Sequence, residues 1–168
     1  MVFTEKQLNE IIELLTEYDN NTKIYLGCDS VVNNTEDKKK MGKYATVAII
    51  HLNGKNGCKI FSSISYEPDY DLKKNRPKMR MMNEVMKVCE LYNQLAPLVD
   101  EYDISIHLDI NEDEKHGSSC AIKEAAGYVL GVTGLTEDKI KFKPHSWASS
   151  FGADRVANKG HTVYRKAA

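Results

Sequence analysis

Two aspartates stand at matching places in the chain. Asp29 lies in Leu26-Gly27-Cys28-Asp29-Ser30, and Asp109 in Ile106-His107-Leu108-Asp109-Ile110. Each falls toward the end of an alternating stretch, on its less apolar side. If the two stretches are parallel neighbouring strands, their axes are about 4.8 Å apart. Carboxylates that close repel unless one is protonated or a cation lies between them. Oxygen donors of this kind suit a hard ion such as Mg²⁺. Sites in open α/β sheets form at the carboxyl ends of strands, where the strand order switches.

The surrounding elements must place those acids. Thr4-Glu5-Lys6-Gln7 has the form of a capping box, and Leu8, Ile11, Ile12, Leu15 and Tyr18 follow at helical spacing. Residues 23–32 alternate as a strand and 43–52 form a second, rich in Val and Ile. Asn53-Gly54 and Asn56-Gly57 are hairpin signals leading to a third strand over 58–66. A helix is expected over 79–95, ended by Pro97, and a fourth strand over 102–110. Ser118 or Ser119 caps a further helix to Val132, stopped by Gly131 and Gly134. A short strand over 139–143 and a helix over 146–157 close the pattern. After the first helix the order is β-β-β-α-β-α-β-α. Three closely linked strands make an antiparallel meander, and the crossover helices force parallel strands after it. The expected architecture is a mixed five-stranded sheet with helices on its faces.

Composition bounds the rest. The chain has 168 residues, 42% hydrophobic and 28% charged, which is ordinary for one globular domain. It divides into an N-terminal helix over 1–20, a core over 21–158 and a basic tail over 159–168. No apolar run approaches the ~18 residues of a membrane span. The N-terminus lacks the pattern of a signal peptide, so the expected location is cytoplasmic. Cys28, Cys58, Cys89 and Cys120 lie about 30 residues apart with no close pair, which excludes a zinc knuckle. They are expected to be free and mostly buried. Residues 139–168 carry a charge of +6, with Asp154 their one acid, against −7 for the remainder. Such a tail, and the run Lys73, Lys74, Arg76, Lys78 and Arg80, suit a phosphate backbone.

With both aspartates on these strands, the chain resembles the ribonuclease H-like superfamily, in particular a small bacterial and phage family within it. The stretches that carry the resemblance are Gly27-Cys28-Asp29-Ser30, Ile106-His107-Leu108-Asp109-Ile110, Lys143-Pro144, and Ala148-Ser149-Ser150 running to Ala153-Asp154-Arg155. They span roughly residues 20–158. The resemblance implies four acids: Asp29, Glu84 on the first crossover helix, Asp109, and Asp154 on the last helix. Glu90 competes with Glu84 on the same helix. It also implies hydrolysis of phosphodiester bonds in RNA or DNA with Mg²⁺ or Mn²⁺, with two ions about 3.5–4 Å apart. The chain departs from hybrid-cleaving relatives, whose mobile His precedes the last acid. His145 stands nine residues before Asp154, and His161 follows it.

Substrate contacts are expected from Lys73, Lys74, Arg76, Arg155 and Lys159, and from Ser118 at a helix start that would suit a phosphate. Trp147 is placed either in the core or as a stacking surface for a base. Two other readings remain open: a nucleic-acid-binding or protein-interaction module with little catalysis, and a hydrolase of small phosphoesters.

Overall fold

The computed structural model describes residues 1–19, 21–34, 40–71, 78–111 and 121–159. The first helix, α1 (Glu5–Thr16), opens with the expected capping box. Thr4 Oγ1 accepts from the Gln7 backbone N–H at 3.3 Å, and Gln7 Oε1 accepts from the Thr4 N–H at 3.1 Å. Its buried side chains, Ile11 and Leu15, are two turns of one apolar stripe.

Strands β1 (Lys23–Asn34), β2 (Lys40–His51) and β3 (Cys58–Pro68) form the antiparallel meander. β1 and β3 run two residues past their expected ends because backbone pairing continues beyond the last apolar side chain, whereas β2 starts three residues earlier than expected and ends one earlier, at His51. Between β2 and β3, Asn53, Gly54 and Gly57 take positive φ values of 49°, 70° and 86°. Asn and Gly are the residues that tolerate this left-handed backbone.

Helix α2 (Lys78–Leu95) starts where Asp71 accepts the Met79 and Arg80 N–H groups at 3.0 and 2.9 Å. A carboxylate on the first turn satisfies donors that the helix itself leaves free. Strand β4 (Asp103–Asn111) runs parallel to β1, and β5 (Ile140–Lys143) parallel to β4. Between them, α3 (Ile122–Thr133) ends at Gly134, which has φ 68°. Gly131, an expected stop, lies inside this helix; Gly134 alone provides the left-handed exit. The last segment is not one helix. Residues Ala148–Ala153 form a π-helical turn, and α4 (Asp154–Lys159) continues from it.

Among the described residues, the sheet has five strands in the order β3-β2-β1-β4-β5. Both faces are covered. On one, α1, α2 and α3 pack around Leu26, Ile50, Val85, Leu91, Ile106 and Val129. On the other, the π turn and α4 set Ala148, Ala153 and Val156 against Ala45, Val47 and Ile49. Burial on both sides is why residues 45–50 of β2 read as a continuous apolar run. Cys28 and Cys89 are buried, but Cys58, at the start of an edge strand, is exposed; Cys120 lies outside the described residues. Among the described residues no helix is long and apolar enough to cross a membrane.

Candidate functional site

The site begins where β1 and β4 stop pairing. Their last two rungs are Gly27 with His107 and Cys28 with Leu108. Asp29 and Asp109 each follow by one residue and so project from the same face. From β1 the chain turns through β2 and β3 on one side, then crosses to β4 and β5 on the other. The two acids therefore stand at the switch in strand order.

The third acid comes from α2. Glu84 is only 6% exposed and accepts the Ser30 hydroxyl on Oε1 at 2.5 Å. Glu90 points elsewhere, holding the Met1 ammonium at 2.5 Å on the surface. The choice between them is thus made by helix phase: Glu84 shares the buried face of Met81, Val85 and Val88.

The fourth acid depends on the π turn. Its backbone lies directly on β1. A Cβ at Gly27 would stand 2.7 Å from the Ser149 nitrogen and 2.8 Å from the Ala148 carbonyl carbon. Glycine is required there for the approach itself. His107 ties the same turn to β4, because its Nδ1 accepts the Ala148 N–H at 3.1 Å. That leaves Nε2 as the protonated nitrogen, 3.4 Å from Ser105 Oγ. Burial first, and Lys141 second, lower the His107 pKa to about 4, so this ring is neutral. Trp147 packs edge-on against Tyr25 and His107 at 4.6 and 5.5 Å, which makes it part of the packing under the turn.

So anchored, the turn delivers two groups. The Ser150 hydroxyl donates to Asp109 Oδ1 at 2.6 Å. Asp154, at the head of α4, is exposed and accepts Asn158 Nδ2 on Oδ1 at 2.7 Å. Asp109 has a further partner, Lys143, whose Nζ lies 2.9 Å from the same Oδ1.

The electrostatics show that the acids share one neighbourhood. Burial pushes the Asp29 carboxyl up, and the charges of Asp109 and Asp154 push it further, to about 7. The Ser30 N–H, on Asp29 Oδ1 at 2.8 Å, pulls the other way. Glu84 is raised well above the ordinary carboxylate range, by burial first and then by Asp29; the Ser30 hydroxyl and Arg80 act against this. Burial, then Glu84, likewise raise the adjacent Cys28 thiol.

Four carboxylates without a His or Cys are the donor set of a hard cation, and two of them are held where their charge is disfavoured. That chemistry fits Mg²⁺ or Mn²⁺. Yet among the described residues no group of three or more His, Cys, Asp or Glu side chains is set to hold a metal ion. Glu84 is turned to Ser30, and Asp109 to Ser150 and Lys143. The Coulomb effect, which acts over several ångströms, reports proximity; ligation needs the side chains to leave those partners.

Of the expected substrate contacts, Lys73, Lys74, Arg76 and Ser118 lie outside the described residues. Arg155 is exposed on α4 beside Asp154, and Lys159 ends that helix. Lys78 pairs with Glu124 across α2 and α3 at 2.7 Å. His145 is exposed, with its backbone N–H on the Phe142 carbonyl at 2.7 Å. Sequence reasoning missed Ser30, His107, Lys143 and Ser150 as members of the site. Each lies inside a stretch that carried the family resemblance, which was the available signal.

A family model described as Ribonuclease H-like matches residues 6–158. This chain belongs to that ribonuclease H-like family. The matched span includes Asp29, Glu84, Asp109 and Asp154, together with Lys143 and the π turn. Neither the curated proteins nor the solved structures contain a match.

Proposed function

We propose that this ribonuclease H-like chain is a divalent-metal-dependent nuclease that hydrolyses phosphodiester bonds of RNA or DNA. What supports this reading is that Asp29 and Asp109 follow the last rungs between adjacent parallel strands at the switch point of the sheet, with Glu84 and Asp154 near enough for charge to act between them and Asp29. Those four acids would hold Mg²⁺ or Mn²⁺. When bound, the ion would supply a Lewis acid for the phosphate and an activated water. The protein's own part is positioning. Ser30 and Ser150 orient Glu84 and Asp109, and the His107-anchored turn holds Asp154 near Asp29. Arg155 and Lys159 on α4, with the Lys73, Lys74, Arg76 run and Ser118, would hold the polyanion.

The test pairs two measurements. Purified protein with Mg²⁺ or Mn²⁺ is incubated with labelled hybrid, duplex and single-stranded substrates, beside Asp29→Asn. Thermal melts are then recorded with and without the ion. Cleavage lost in Asp29→Asn, and an ion-dependent rise in melting temperature, are the expected results. Full cleavage by the variant, with contaminating nuclease excluded, would overturn the reading. A second reading, a binding module that kept the fold, draws on the engagement of Asp109 by Lys143. It predicts nucleic-acid binding with no ion-dependent stabilisation.

A further inference from the structure

We propose that the groove beside the π turn takes an unpaired nucleobase, stacked on Phe151, so that the chain acts on single-stranded nucleic acid. The inference rests on the nuclease reading above and names the form of its substrate.

The groove lies on the sheet face that carries α4. Its floor includes Ile49 and Ile60, which are directly paired between β2 and β3. One wall is the turn itself, where Gly152 bears no side chain; a Cβ there would stand 2.7 Å from Ile49 Cδ1. Trp147, Phe151 and Arg155, spaced four residues apart, all line it. Its volume is about 180 Å³, below the roughly 300–1,000 Å³ of clefts that enclose a drug-sized molecule, and suits one flat ring. Phe151 is 72% exposed, whereas Phe3, Phe61 and Phe142 are buried or half-buried. An aromatic ring held in water beside a shallow apolar floor is a stacking surface, because covering it removes apolar area from water.

Charge and position select the occupant. An apolar peptide has no use for a cation, yet the exposed Arg155 borders the groove. It belongs to residues 139–168, which carry +6. A guanidinium pairs with phosphate through two parallel hydrogen bonds. The groove is also continuous with the acids. Phe151 follows Ser150, whose hydroxyl donates to Asp109 Oδ1 at 2.6 Å, and Arg155 follows Asp154. Successive residues of a helical turn point to adjacent sides of it, so a strand crossing this turn meets the acids and the groove together. A base inside a duplex is stacked on its neighbours; only an unpaired base offers its face to Phe151.

Anisotropy binding of labelled oligo(dT), oligo(U) and a hairpin duplex in EDTA tests this. Fluorescence of Trp147, the sole tryptophan, reads the groove itself. The wild type should bind at least one single strand more tightly than the duplex, and that strand should quench Trp147. Phe151→Ala should lose roughly 5- to 150-fold in single-strand affinity, the range for one base–aromatic stack, with duplex affinity and salt slope unchanged. Phe151→Tyr should restore the binding. Unchanged single-strand affinity in Phe151→Ala, or a wild type that prefers the duplex, would overturn the inference and leave the nuclease reading standing. A wild-type dimer in light scattering that Phe151→Ala splits would put a second copy of the chain in the groove, and would overturn it too. Should Phe151→Ala fail to fold, the wild-type preference and the Trp147 quenching decide. No binding of any of the three probes by the wild type overturns the nucleic-acid reading and this inference with it.

Discussion

Asp29 and Asp109 look equivalent in sequence, yet their surroundings oppose one another. Asp29 is buried among acids, and its carboxyl is raised to about 7. Asp109 has an ammonium and a hydroxyl on one oxygen. Asparagine at the two positions should therefore act in opposite directions on the ion-free protein. In an unfolded chain an aspartate titrates near 3.9, roughly three units below Asp29 in the fold. Between those values the folded state binds the proton more tightly. Stability from this group is thus present at low pH and is lost as pH rises toward 7. Glu84 acts in the same direction. The neutral His107 opposes them, since the unfolded chain gains protons first as pH falls below its ordinary value of 6.5. That opposing effect is common to wild type and variant and cancels between them. Thermal melts in EDTA at pH 5 and pH 8 should show Asp29→Asn more stable than wild type at pH 8, with a flatter pH dependence. Asp109→Asn should be no more stable at either pH, because it loses the charge that Lys143 holds. Equal behaviour of the two variants would contradict the asymmetry.

At the scale of elements, the π turn is the part that makes a site from a sheet. It brings Ser150 to Asp109 and Asp154 to Asp29, and it does so by lying on Gly27. The Gly27→Ala methyl would meet backbone atoms at 2.7 and 2.8 Å, and backbone cannot swing aside as a side-chain end can. The cost should be about 1–3 kcal/mol, the range for overpacking a filled interior. The turn must also shift away from β1. Cleavage by Gly27→Ala should then fall by more than the loss of folded protein explains, while the nearby variant Val31→Ala costs stability alone. Denaturant melts beside cleavage rates separate the two. How far the sequence showed this is uneven. The period-2 and period-3.6 patterns located the described strands and helices of the core, and the place of Asp29 and Asp109 on the less apolar side of their strands was visible from alternation alone; that β1 runs on to Asn34, past the end of its pairing with β4, was not. Glu84 and Asp154 needed the family pattern, because one acid on a helix is indistinguishable from a solvated one until the helix phase is known. The π turn has no periodic signature; its small residues, Ala148-Ser149-Ser150, read as ordinary helix. The pairing of Lys143 with Asp109 was invisible for a different reason: its partner is 34 residues away in sequence, across a ladder whose register no local pattern sets.

For the whole molecule, charge decides how a polyanion could approach a centre built of acids. Residues 1–138 carry −7 and residues 139–168 carry +6. Arg155 and Lys159 follow Asp154 on α4, so the positive end of the chain starts at the site itself. A nucleic acid drawn to that end displaces its own counterions. Each phosphate neutralised adds about −0.9 to the slope of log K against log salt for duplex DNA. Alanine at Arg155, Lys159 and Arg165 together should weaken binding and flatten the slope, by up to about 2.7 if each meets one phosphate. Asp154→Asn should do the reverse for affinity, since a negative charge beside the phosphate is lost, while cleavage falls because a proposed ligand is gone. Salt-titrated binding without divalent ions, run beside ion-driven cleavage, reads both effects on the same substrates. An unchanged slope in the triple variant would place the polyanion elsewhere on the molecule. Weaker binding by Asp154→Asn would mean that Asp154 positions α4 through Asn158 and contributes no repulsion at the phosphate.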